Sequence, residues 1–397
     1  MIILKKIFQH KDIPPKNAGC KERTKTQRFT FIIASFFFIS TLTAQTNPHF
    51  NIALRLDFSS AEDFIRMCEG QQHNTQRIAE LRGTQIAAAT SALLARQNYK
   101  PDALKRELDL LRDNFATNND VFGLLDTRRF LPQIKLLLAE AKKRQLDRRV
   151  LATIESFFPL NAKISATLPV YFVVMGNENA AAYVRRVVWS GTTPVFVGDG
   201  EGEQVIVVNL VRMVQYHPDT QIEFIELLST LAHESFHAVF GVYQETSPVW
   251  KNFNQRNHPI AHLAELVLNE GIAYYISMQQ QSQGSAPSPS WFAQTKRAMG
   301  TLDNVFTELA SPSLSYERAR ELIMNSNLSG SFEKNYGATA GLFIAYTIDT
   351  KLGRQALTDG IQNGVGDFFE KYDALCTQYG GLPKFSDTAL AELKKWY

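Results

Sequence analysis

The sequence predicts an α+β fold, mainly α, and three observations carry that prediction. Residues 58–157 repeat apolar side chains at helical spacing. Residues 159–210 change texture to short β-branched runs bounded by Gly and Pro. From 219 onward the helical spacing returns. The chain has 397 residues, 45% hydrophobic and 20% charged, enough apolar material for one large or two modest cores. Its 27 Phe and 13 Tyr exclude a disordered chain.

The first element is a leader. Residues 1–28 are basic and polar, Phe29–Ala44 is uncharged and mostly apolar, and Gln45 begins a polar stretch. A basic region, a short apolar region and a small residue before a polar break read as a signal peptide over 1–44. Export to the periplasm or exterior is therefore expected, with membrane attachment only if the segment stays uncleaved. The 16 apolar-region residues fall short of the roughly 20 that span a bilayer. Beyond the leader the reading divides the chain into a helical region, 45–158, and a second domain, 159–397.

Within the helical region, Ser59 with Glu62 resembles a capping box. An Ala-rich helix follows near 76–97. Pro101 suits the first turn of a helix carrying Leu104, Leu108 and Leu111, and Leu131–Lys143 repeats the pattern. Three strand runs come next, at 169–174, 193–197 and 204–209. The glycine-rich stretch from Gly198 to Gly202 reads as a hairpin turn joining the last two, because no Lys or helix start follows it as a phosphate loop requires. Thr220 with Glu223 offers a cap for the next helix, and Gln281–Ser290 is a polar loop.

Charge excludes one class of partner. Residues 1–44 hold eight Lys or Arg against two Asp or Glu, so the rest of the chain carries 34 positive against 37 negative side chains. No basic excess remains to neutralise phosphates, and nucleic acid is not an expected partner. Outside the leader lie Cys68 and Cys376, whose pairing spacing alone cannot show.

The sharpest chemical signal is His233-Glu234-Ser-Phe-His237. Two His four apart on a helix present both imidazoles on one face, as a zinc ion requires. The Glu between them lies beside the metal, where it can take a proton from water. Apolar residues from Phe224 to Val239 give the segment a helical face, and the two His fall on a different stripe with Glu226 and Thr230. A third ligand is then needed. Glu270, 33 residues after His237, sits in a segment otherwise apolar on nearly every side, where an unpaired carboxylate would be costly. Gly271 beside it fits a close approach by the helix that bears the His pair. His258, His262, Glu245 and Glu265 are competing ligands.

This pattern, with Asn269-Glu270-Gly-Ile-Ala after it, resembles the gluzincin group of zinc peptidases, to which thermolysin belongs. It looks most like bacterial families of zinc-dependent proteases with an Asn-Glu-Gly-Ile/Leu-Ala segment. The resemblance covers roughly residues 195–350 and leaves the helical region unexplained. It does not extend to metzincins, whose Gly and third His would fall at Phe240 and Tyr243. It implies a zincin-like domain: a small sheet, the His-bearing helix, then a C-terminal helical bundle. One zinc is implied, on His233, His237 and Glu270, with Glu234 as general base and a peptide or protein as substrate. An edge strand holding extended peptide is also implied, with Gln204–Asn209 as candidate. Thermolysin-like enzymes place Asp four residues after the ligand Glu; here Tyr274 stands there. For the oxyanion donor, Tyr336, at the head of an apolar helix, is the first candidate, then Tyr274 or Tyr275. The alternative is a non-catalytic periplasmic or cell-surface binding protein on the same scaffold.

Overall fold

The computed structural model describes residues 47, 49–71, 74–113, 120–176, 180–198, 201–215, 219–282, 288–327 and 335–397. The leader, 1–44, lies outside the described residues. In chain order the elements are β1 (Phe50–Asp57), α1 (Ser59–Cys68), α2 (Thr75–Glu80), α3 (Arg82–Leu94), α4 (Pro101–Arg112), α5 (Leu125–Lys143) and α6 (Leu146–Glu155). Then come β2 (Ile164–Val173), β3 (Ala182–Ser190), β4 (Thr193–Phe196), β5 (Glu203–Asn209), α7 (Leu210–Val214), α8 (Thr220–Thr246), α9 (Pro248–Asn254) and α10 (Pro259–Ser282). The chain ends with α11 (Pro289–Leu309), α12 (Tyr316–Asn325), α13 (Tyr336–Leu352), α14 (Arg354–Asn363), α15 (Val365–Gln378) and α16 (Asp387–Lys394). The fold is α+β and mainly α, as expected.

The strands form one sheet in the order β1-β2-β5-β3-β4. β1, β2 and β5 run parallel; β3 is antiparallel to β5, and β4 to β3. Parallel neighbours need a long crossover. Between β1 and β2 that crossover is the whole helical block α1–α6. β5 is buried from Val205 to Asn209 and β2 from Val170 to Val173, the texture of strands covered on both faces.

The topology corrects two expectations. Gln204–Asn209 is not an edge strand: β5 is held by β2 on one side and β3 on the other, and the edges are β1 and β4. The expected hairpin of the last two strand runs is absent, because β4 and β5 do not pair with each other: β3 lies between them, and residues 199–200 of the link lie outside the described residues. Gly202 belongs to that link. Its φ is +73°, and a Cβ there would stand 2.6 Å from the Val187 carbonyl oxygen.

Three local details also differ. At α1 the amide of Ser59 is taken by the Asp57 carboxylate at 2.8 Å, and Glu62 pairs instead with Lys142. The Ala-rich stretch is two helices broken at extended Leu81, so that Gly83 can lie against Ser60 and Tyr171. At α8 the cap is Asp219, one residue before Thr220; its carboxylate accepts from Gln221 and Ile222. Glu223 is buried instead.

Helix α8 packs on β2, β3 and β5, α10 packs on α8, and α13 packs on α10. α8 and α10 are tied by a reciprocal pair: the Ser229 hydroxyl donates to the Ser277 carbonyl and the Ser277 hydroxyl to that of Ser229, both at 3.3 Å. α10 and α13 cross glycine on glycine. A Cβ on Gly271 would stand 2.3 Å from the Gly341 carbonyl carbon, and one on Gly341 2.0 Å from the Val267 oxygen. The helix that Gly271 admits is therefore α13, not the His-bearing α8. Cys68 and Cys376 are free thiols. Among the described residues no helix is long and apolar enough to cross a membrane.

Candidate metal centre

His233, Glu234 and His237 lie in the middle of α8, and Glu270 in the middle of α10. The serine pair and the α10–α13 crossing fix α10 from both sides, which sets how Glu270 meets the imidazoles. His233 Nε2 and His237 Nε2 are 3.0 Å apart. Glu270 Oε2 is 3.7 Å from the first and 3.5 Å from the second. Donors about 2.0–2.1 Å from a tetrahedral zinc stand roughly 3.3 Å from one another, so this triangle is close to the right size. Among the described residues it is the one group of three or more His, Cys, Asp or Glu able to hold a metal ion.

The other faces of these ligands are already engaged. His237 Nδ1 donates to Asn269 Oδ1 at 2.8 Å. His233 bonds the backbone carbonyl of Ala273. The Asn269 bond on Nδ1 turns the His237 Nε2 toward the triangle, as in zinc sites where an oxygen acceptor orients the ring. Glu270 Oε1 accepts from Asn327 Nδ2 at 2.5 Å, leaving Oε2 for the centre. Asn269 is itself held: its amide donates to Glu265 Oε1 at 3.1 Å, which also takes Gln244 at 3.1 Å. Two imidazole nitrogens and a carboxylate within 3.0–3.7 Å of one another call for one positive charge among them, supplied by a proton on His237 or by a bound cation. The donor set fits zinc.

Electrostatics agree. Burial, with His237 next to it, drives the His233 imidazole down to about 3, so it is neutral. Burial alone would raise Glu270, but His237 and His233 outweigh it and hold the carboxylate below its ordinary value. Burial works against charge on His237 as well; Glu270 and Glu234 overcome it and raise the ring to about 9. The centre therefore favours one positive charge at this spot. Glu234 is half-buried beside it, and burial pushes its carboxyl up to about 7. The side chains of His233, His237 and Glu270 remain 13%, 17% and 17% exposed, so the three are not sealed from solvent.

The tyrosines separate. The Tyr274 ring packs edge-on to His233 with centroids 4.7 Å apart, and its hydroxyl bonds Asn335. Tyr275 donates to Asp349, and Tyr336 is buried with its hydroxyl donated to the Leu322 carbonyl at 2.5 Å. Of the three, Tyr274 is the one whose ring packs against a candidate ligand. Of the competing ligands, Glu245 pairs with Arg186, His258 stacks on Trp396, and Glu265 holds Asn269. His262 lines a cleft next to His237. Sequence reasoning did not assign the supporting roles of Asn269, Asn327 and the Ala273 carbonyl. Asn269 was visible inside the Asn-Glu-Gly segment. A backbone carbonyl and an Asn 57 positions away carry no signal in a single sequence.

A family model described as "Putative zinc dependent peptidase (DUF5700)" matches residues 75–380, more than half of the chain. No curated protein and no solved structure matches it.

Proposed function

The chain belongs to this zinc dependent peptidase family, and from that premise we propose that it hydrolyses peptide bonds at the His233, His237 and Glu270 centre, in the manner of gluzincins. The convergence of two Nε2 atoms and Glu270 Oε2, each with its far side already bonded, carries the reading. Zinc held there supplies a Lewis acid and lowers the pKa of water. Glu234 accepts the proton of the attacking water and passes it to the leaving amine; a carboxyl raised to about 7 is suited to both transfers near neutral pH. Tyr274, whose ring packs against His233, is the residue proposed to donate its hydroxyl to the developing oxyanion. With a signal peptide expected over 1–44, the proposed site of this work is outside the cytoplasm.

Glu234→Gln tests the reading. It keeps the size of the side chain and removes the base, so zinc content stays and hydrolysis of a mixed peptide library falls by at least about a thousandfold. Undiminished hydrolysis would remove Glu234 from the reaction. Zinc binding with no hydrolysis by the unaltered protein would favour the binding-protein alternative.

A further inference from the structure

A cleft of about 910 Å³ lies beside the metal centre, with His237 and its partner Asn269 in its lining. That is the size of a ligand pocket. One wall is Gly241, one turn past His237 on α8. A glycine inside a helix costs about 1 kcal/mol relative to Ala. At Gly271 a crossing helix accounts for it. At Gly241 no packing does: a Cβ there would meet only the Gln204 amide, at 3.7 and 4.0 Å, which is ordinary contact. The missing side chain leaves room on the cleft side.

The other walls are basic. Arg186, Lys251, Arg256 and His262 line the cleft with Glu245 and Glu265. Arg186 is paired with Glu245. Glu265 is bonded by Gln244 and Asn269. The exposed Lys251 ammonium has no ion-pair partner among the described residues. The Arg256 guanidinium meets the Phe253 ring, 5.8 Å from its centroid, and no carboxylate. Counting Lys and Arg against Glu the lining sums to +1, and the two unneutralised cations stand together on α9 and the turn after it.

We propose that this cleft is a specificity subsite for a carboxylate of the peptide substrate, either an Asp or Glu side chain near the scissile bond or the C-terminus of the peptide. The proposal rests on the peptidase reading for its substrate class. Arg256 offers the planar fork that grips a carboxylate, Lys251 adds a second charge, and Gly241 makes room for the residue that carries it.

The test measures binding, so it does not depend on turnover. Zinc-loaded Glu234→Gln protein is titrated calorimetrically with three N-acetylated pentapeptides. One is Ala-Ala-Glu-Ala-Ala amide, with a side-chain carboxylate only. The second is Ala-Ala-Gln-Ala-Ala with a free C-terminus, and the third is the same peptide as its amide. The expected result is at least tenfold tighter binding of one or both acidic peptides than of the neutral one; which one names the source of the carboxylate. Adding Lys251→Glu and Arg256→Glu removes that preference, and Lys251→Glu alone, at an exposed position, reduces it at least threefold. Equal binding of all three peptides, no binding of any, or a preference that survives charge reversal overturns the subsite. The peptidase reading fails by a different measurement, the absence of library cleavage by the unaltered protein, and carboxylate binding would stand apart from that failure.

Discussion

Asn269 shows how much of the centre is set by residues that would never touch the ion. Its oxygen fixes which nitrogen of His237 faces the triangle, and Glu265 fixes Asn269. Asn269→Ala frees the ring, and the expected effect is a 10–100-fold loss of zinc affinity with the fold intact, read by competition with a zinc chelator. Tyr274→Phe keeps the ring against His233 and removes the hydroxyl. Zinc content should be unchanged while kcat falls about 10–1000-fold. Glu223 offers a residue-scale test of stability. It is fully buried with neither carboxylate oxygen hydrogen-bonded, and burial, with Glu226 and Asp219 nearby, pushes its carboxyl from 4.5 to about 7. Its folded pKa lies above its unfolded one, so its stabilising proton is present below about 4.5 and lost as the pH rises towards 7. Glu223→Gln should therefore match the unaltered protein near pH 4.5 and exceed it by up to about 3 kcal/mol at pH 8 in urea unfolding. Equal stability at both pH values would mean that the carboxyl finds a partner.

At the scale of elements, the glycine crossing of α10 and α13 is the most exacting contact. Gly271→Ala or Gly341→Ala drives a methyl into backbone, which cannot swing aside as a side chain can. Each should cost about 3 kcal/mol or more in denaturant unfolding and loosen zinc, because α10 carries Glu270. Gly300→Ala in α11 is the contrast: a Cβ there meets nothing within 4 Å, and the same change should stabilise by about 0.5–1 kcal/mol. This is also the scale at which the sequence stops being legible. The His pair and the start of the Leu104 helix could be read because periodicity and Pro101 are local signals. β3 was missed because Arg185 and Arg186 interrupt its apolar run; Arg186 pairs with Glu245 of α8, a partner invisible in sequence. β1 alternates buried Ile52 and Leu54 with exposed neighbours, a strand signature that a search for helices passes over. The order of strands is a matter of long-range pairing, and no local pattern reveals that β3 slips between β5 and β4.

At the scale of the whole molecule, β1 pairs with β2 over eight residues, Phe50 to Asp57 on Ile164 to Tyr171. Residues on both sides of position 158 therefore share the sheet against which α8, the helix of the His pair, packs. A fragment of residues 159–397 would expose the flank of β2 and lose the helical layer over it. Such a fragment should be insoluble or lack a cooperative thermal transition; a folded, zinc-binding fragment would show that the helical block is dispensable. The helical region thus acts as the crossover that brings two parallel strands together, while the proposed centre lies on α8 and α10. That three-dimensional relation explains why the His and Glu signals could be found without any account of residues 45–158.

The most direct measurement is the metal content of the purified protein beside that of Glu270→Ala, by elemental analysis after dialysis. About one zinc per chain in the first and loss of most of it in the second is the predicted result. No zinc in the unaltered protein, or full retention without the carboxylate, would contradict a centre built from His233, His237 and Glu270.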